Sequence, residues 1–379
     1  MELTLLEKLQ TLAEKNVLDI DQAKSEGRSI IGFYCLYSPT EIAVAANAIP
    51  LPLCGTRNDP IEKAEEFLPR NLCPLIKSSF GFAASGTCPY FNFSDMIVAD
   101  TTCDGKKKMF ELMSEYRPVH ILQLPQNQDE DKVMPMWTEE VNRFREILRE
   151  KTGNSISDDD LKSAISLLNR ERQTFKALMD LARTKPSPIS GMELLEIMFK
   201  TGFFADKEQG IGIMEEIIAD IQARAENGLS SFTETTPRVL LTGVPIGLGC
   251  DKVVRIIEES GGNVVCFENC SGYKKTFQVD ESKDPITALA EQYLKIPCSV
   301  MSPNPLRLDM LAGLIEDFKV DKVVDLTWQA CHTYNIESHT VEKFIRERFN
   351  LPTLHLETDY SESDSEQLRT RIEAFLEIS

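Results

Sequence analysis

Short apolar runs, each followed by a turn and then an amphipathic stretch, recur in both halves of the chain. Near the start, "RSIIGFYCLYSPTEIAVAANAIPLPLC" (28–54) predicts a strand near Ile30 to Tyr34 and a turn at Ser38-Pro39. A helix through Glu41 to Ala48 and a second strand into Leu53 follow. "DMIVAD" (95–100) and "VHILQL" (119–124) have the length of buried strands, and "GKKKMFELMSEY" between them has helical periodicity. Strand, helix and strand of this length predict a βαβ unit in a parallel sheet. The opening "MELTLLEKLQTLAEKN" reads as an amphipathic helix carrying Glu2 and Glu7.

From about 137 to 228 the period changes to that of helices, with segments ending at Gly or near Pro. Ser157 with Asp160 three positions on is a capping box in which Asp stands for Glu. The polar "LSSFTETTPR" (229–238) reads as a linker. A second α/β alternation follows, with strands at "VLLTG", "NVVCFE", "DKVVDLTWQ" and "PTLHLETD". The expected architecture is α/β, with two parallel-sheet halves separated by a helical segment. The divisions fall at 1–136, 137–235 and 236–379.

Composition narrows the function. The 379 residues are 42% hydrophobic and 27% charged, with a formal net charge of −19. Such a surface repels nucleic-acid phosphates and anionic membranes. The N-terminus lacks the basic start and apolar core of a secretory signal, and no run approaches the ~20 apolar residues of a membrane span. A cytoplasmic location is expected, where thiols stay reduced.

Ten cysteines therefore need an account other than disulfides: buried apolar fillers or metal ligands. Cys103, in "TTCDGKKKMFE", precedes a helix whose first turn holds Lys106, Lys107 and Lys108. Exposed N–H groups, the helix dipole and the lysines favour a thiolate there, and would equally suit an anionic iron–sulfur cluster. A solvated lysine run beside an incidental thiol explains the same residues.

Cys73 and Cys88 are each followed by proline, Cys270 lies just past a strand, Cys298 follows a proline, and Cys331 follows another strand. This scatter matches neither a zinc ribbon nor a ferredoxin run, so it makes a site only if folding gathers loops from both halves into one cleft. Cys35 and Cys266 fall in strand-like runs and read as core, while Cys54 and Cys250 lie at turns and stay open. His332 beside Cys331 reads as a ligand, a proton donor or a satisfied polar residue at a strand end. The glycine-rich turn "TGVPIGLGCDK" (242–252) matches neither GxGxxG nor GK[ST]. Glu268 near the next strand end would be its ribose contact, and a plain tight βα turn is the competing reading.

"NLCPLIKSSFGF", "TCPYFNFSDMIVADTTCDGKKKMFE", "CFENCSG", "IPCSVMSPNPLR" and "WQACHTYNIES" together resemble the 2-hydroxyacyl-CoA dehydratase superfamily. They are most similar to its single-chain branch, the double-cubane cluster proteins. The resemblance runs over nearly the whole chain. It implies two Rossmann-like halves with a cluster in the cleft between them, usually in a homodimer. Dehydratase subunits hold one [4Fe-4S] cluster through three cysteines, and Cys73, Cys103 and Cys331 match that set.

The closer branch adds three cysteines, for which the candidates are Cys88, Cys270 and Cys298. Together they would fill the six terminal positions of a double-cubane [8Fe-9S] cluster. The implied function is reduction of a small molecule at that cluster. Low-potential electrons would come from a separate, ATP-hydrolysing iron–sulfur reductase of the activator type. His332 and Lys106 are the candidates for proton supply or charge tuning. Two alternatives stand beside this: a true 2-hydroxyacyl-CoA dehydratase subunit with a [4Fe-4S] cluster, and a non-catalytic electron carrier.

Overall fold

The computed structural model describes residues 5–378, so the first four residues of the expected N-terminal helix lie outside them. Eight strands form where the apolar runs placed them. They are β1 (Ile30–Tyr34), β2 (Ile49–Leu53), β3 (Met96–Asp100), β4 (Val119–Leu122), β5 (Arg238–Gly243), β6 (Asn263–Phe267), β7 (Lys322–Trp328) and β8 (Thr353–Thr358). They build two four-stranded sheets, ordered β2-β1-β3-β4 and β6-β5-β7-β8, and every pairing is parallel. The two halves thus share one strand order, that of Rossmann-like units. β1, β3, β5, β6 and β7 are buried along their whole length, as strands covered on both faces must be.

The helical stretch comprises Glu130–Thr152, Asp158–Asp180, Gly191–Gly202 and Lys207–Glu226. The first begins seven residues before position 137 and carries Pro135 in its second turn, where the missing N–H leaves the Asp131 carbonyl without its helical donor. The capping box at Ser157 and Asp160 forms, and a second one joins Ser190 to Glu193. These helices pack on both sheets. Arg172 binds Glu41 of the first half at 2.5 Å and the Tyr293 hydroxyl of the second at 3.1 Å. Trp137 Nε1 donates to the Ala290 carbonyl at 3.0 Å.

Direct ties join the halves as well, from the Tyr37 hydroxyl to the Ile296 carbonyl (2.7 Å) and from the Tyr360 hydroxyl to the Gly55 carbonyl (2.8 Å). One hydrophobic core consequently runs through both. Among the described residues no helix is long and apolar enough to cross a membrane.

Candidate metal centre

A cavity of about 320 Å³ opens where residues just beyond the carboxyl ends of both sheets meet, the usual place for a site in open α/β sheets. Six cysteines line it: Cys35, Cys73, Cys103, Cys270, Cys298 and Cys331. Cys103, Cys270 and Cys331 each stand three residues past the end of a strand, β3, β6 and β7 respectively. Local sequence explains the placement of three of them. Cys73, Cys103 and Cys331 are the N-cap residues of helices Pro74–Ser85, Asp104–Met113 and His332–Phe349. Three sets of unsatisfied backbone N–H groups, with the positive ends of three helices, therefore converge on the cavity and favour a negative occupant.

The thiols fall into two groups of three. Cys73 and Cys331 hydrogen-bond to each other, and Cys73 also feels the charge of Cys103. The Cys331 thiol and the N–H groups of Ile76 and Leu75 pull the Cys73 pKa down against its burial. The same contact with Cys73, and burial, push Cys331 up. Cys35, Cys270 and Cys298 form the second group: Cys35 feels the charges of both others. Burial, then Cys298, raise Cys270 to about 12. Thiols crowded like this resist losing their protons together unless a cation replaces those protons.

Charged groups surround them. Lys106 lines the cavity. Burial alone would lower its pKa, yet the charges of Cys35, Asp100, Cys103 and Cys54 hold it above the ordinary value. Lys107 and Lys108 turn away, pairing with Asp104 at 3.0 Å and with Glu111. Asp100, at the end of β3, is fully buried, and burial raises its carboxyl to about 6 against the pull of Lys106 and of the Thr102, Tyr37 N–H and Cys35 groups beside it. His332 is exposed at the rim.

Behind the wall, Tyr334 lies 3.9 Å from the Cys298 sulfur and accepts from Lys274 Nζ at 3.1 Å. Lys274 and Arg307 both bind Glu268, at 2.9 and 3.2 Å, and all three side chains are sealed from solvent. Nothing in the local sequence signals this network, because Arg307 and Tyr334 come from segments distant from Glu268 and Lys274.

Glu268 is therefore held in an internal ion network, away from any ribose. The glycine turn after β5 is filled by the chain itself. A Cβ on Gly243 (φ +106°) would strike the Leu326 carbonyl oxygen at 2.0 Å, and one on Gly247 would strike the Phe199 ring at 2.8 Å. It is a tight packing turn.

Cys35 read as core from its apolar run, but the structure puts it one residue beyond β1, in the left-handed region (φ +72°), with its side chain on the cavity. The strand simply ends sooner than its hydrophobic pattern. Cys88 does not line the cavity. It caps the five-residue helix Pro89–Phe93, and its charge acts on Tyr34 and Tyr90. Cys266 is buried in β6, Cys250 is bonded within its own turn at Gly247, and Cys54 lines a neighbouring space.

That second cavity, of about 290 Å³, is walled by Phe33, Phe175, Leu195, Met198 and Phe199 and bordered by Lys207 and Lys275. It shares Cys35, Lys106, Leu75, Pro245 and Cys270 with the first. An apolar chamber touching a thiol-lined one is the arrangement of a substrate pocket beside a reactive centre.

Among the described residues, no three His, Cys, Asp or Glu side chains are grouped closely enough to hold one metal ion. The donor set fits a different occupant. A cluster spreads its irons over several ångströms and takes one thiolate at each. All-sulfur donors, N–H groups for the cluster's own sulfides and separated triads answer that demand.

The family described as "2-hydroxyglutaryl-CoA dehydratase, D-component" matches residues 35–378. The chain is 45% identical over 362 residues to "Putative dehydratase subunit YjiM" of Escherichia coli (strain K12), covering 95% of this chain and 94% of that protein. It is 24% identical to the (R)-phenyllactyl-CoA dehydratase beta subunit of Clostridium sporogenes, over 93% of this chain and 92% of that one. A shorter match, 24% over 59% of this chain and 60% of the other, joins it to one of the subunits of benzoyl-CoA reductase from Thauera aromatica.

Proposed function

The chain belongs to the 2-hydroxyacyl-CoA dehydratase superfamily, and on that premise we propose that it is the reductase component of an iron–sulfur enzyme acting on small molecules at a double-cubane [8Fe-9S] cluster. The observation that carries this is the lining of one cavity by six cysteines in two triads, where a single cube needs three. Bound there, the cluster would supply low-potential electrons. The chain's own residues do the rest. Six thiols lose their protons to bind iron, and the three helix N-termini and Lys106 offset the negative charge. The apolar walls of the second cavity hold a small substrate against the shared Cys35–Lys106–Cys270 boundary and exclude bulk water. Lys106 and the rim residue His332 are the groups placed to deliver protons.

Electrons would come from a separate ATP-hydrolysing iron–sulfur reductase, which accounts for a chain whose glycine turn matches no phosphate-binding pattern and is filled by its own packing. A homodimer, and the division of the chain at 1–136, 137–235 and 236–379, belong to the same proposal.

A second reading has specific support: relatives carry dehydratase names, and Cys73, Cys103 and Cys331 alone would hold one [4Fe-4S] cube. Iron and acid-labile sulfide per chain, measured on protein purified without oxygen, decide between them. About eight irons are expected for the double cubane; about four would give precedence to the dehydratase. Essentially no iron, in protein never exposed to air, would refute both.

A further inference from the structure

We propose that Cys35, and not Cys88, supplies the sixth thiolate of the cluster, completing with Cys270 and Cys298 the triad that holds the second cube. This rests on the double-cubane reading and adds to it the assignment of a ligand that the sequence motifs place elsewhere.

Three independent observations converge. The first is position. Cys35 lines the same cavity as the other five thiols, while Cys88 does not. Three cysteines then come from each half of the chain. The second is grouping. A double cubane has two cubes that share one bridging sulfide, so each cube offers three irons to the protein. Cys73, Cys103 and Cys331 are mutual neighbours and account for one cube, with Cys103 on the side that also feels Cys298 of the other triad. Cys270 and Cys298 interact with each other, and the thiol whose charge field includes both is Cys35. Cys88 acts on Tyr34 and Tyr90, and its helix of five residues has too short a dipole to steady an anion.

The third observation is backbone conformation. Left-handed dihedrals at a residue other than glycine or asparagine persist where surroundings over-determine them, and they gather at functional sites. Cys35 (φ +72°) is one, and Ala330 (φ +59°), immediately before Cys331 on the same cavity, is another. An extended Cys35 would continue β1, and the alternation of a strand would redirect its side chain. The left-handed turn aims the sulfur into the cavity instead. On ligation the thiol proton leaves and iron takes its place, with Lys106 beside it to balance the added charge.

The test compares Cys35→Ala with Cys88→Ala, each purified without oxygen. Alanine accepts the left-handed backbone about as well as cysteine, so the sulfur is removed without new strain. Circular dichroism and elution volume confirm folding. The wild type is expected to hold about eight irons, Cys88→Ala the same, and Cys35→Ala about four, with an altered electron paramagnetic resonance spectrum. Full iron in Cys35→Ala with loss in Cys88→Ala would overturn the assignment. About four irons in the wild type itself would remove the double cubane first, and the proposal with it.

Should Cys35→Ala not fold, alkylation of the wild type by iodoacetamide, read by mass spectrometry, gives the answer. Cys35 is expected to be protected in the loaded protein and modified after iron is chelated. Cys88 should react alike in both states. Equal labelling of Cys35 with and without iron would refute the assignment.

Discussion

Lys274→Met tests whether the ion network behind the cavity holds the second half together. Lys274 Nζ sits 2.9 Å from the Glu268 carboxylate and 5.2 Å from the Tyr334 ring centroid, and both members of the pair are 0% exposed. Burial alone would push the Glu268 carboxyl up, yet Lys274 and Arg307 hold it below its ordinary value. At an effective dielectric near 20, attraction across 2.9 Å is about 6 kcal/mol and across Arg307's 3.2 Å about 5 kcal/mol. Most of that offsets the cost of taking three charges out of water.

Removing one partner of a buried pair costs about 3–5 kcal/mol, because the other charge is left uncompensated. Here Arg307 remains, although it also binds Glu337, so the loss should lie near 3 kcal/mol. With an unfolding entropy of about 2.1 cal/mol/K per residue, that lowers the melting temperature by about 4 °C if the whole chain unfolds together. If the second sheet and its helices melt alone, the fall is about 10 °C. Differential scanning calorimetry reads both the shift and the number of transitions. The double variant Lys274→Met, Glu268→Gln should lose less than the two single variants combined, since neither leaves its partner behind. A shift below about 1 °C for Lys274→Met would refute the reasoning.

Two further outcomes follow from the packing. Gly81→Ala should destabilise by about 1–3 kcal/mol despite alanine's better helix propensity, because its Cβ would strike the Pro60 carbonyl at 2.0 Å. Iron should fall too, since that helix presents Cys73. Gly202→Ala, whose Cβ meets nothing within 4 Å, should instead gain up to about 1 kcal/mol in thermal melts. Glu258 accepts from the N–H groups of Gly191 and Met192, and burial raises its pKa from 4.5 to about 7. Between those values the folded chain keeps a proton that the unfolded chain has lost. The stability from this group is therefore fully present below pH 4.5 and is lost as pH rises through about 7, up to about 3 kcal/mol in all. Glu258→Gln should flatten that slope in urea melts between pH 5 and 8, and an unchanged slope would exclude the assignment.

Much of this protein is written locally. Apolar runs of strand length, bounded by turns, located all eight strands, and the pair Ser157 and Asp160 announced a helix start that forms as expected. These are near-neighbour effects, decided by periodicity and by side chains a few residues from the backbone groups they satisfy. The same local chemistry marked Cys73 and Cys103 as residues at helix starts, whereas Cys331 was legible only as lying past a strand and the structure makes it a third helix N-cap.

Convergence was not written that way. Local terms point the wrong way: Cys35 falls in a strand-like apolar run and reads as core, Cys88 precedes a proline as Cys73 does, and both are half-buried. Only the packing of two sheets with the same strand order, tied by helices that bind both, brings Cys35 to the cavity and leaves Cys88 outside it. The Glu268–Lys274–Arg307 network was equally hidden, since Arg307 is 39 residues from Glu268. Motif and period placed the elements and the chemistry available to each turn. Which turns meet depends on how non-local surfaces bury one another, and that was decided by the tertiary structure alone.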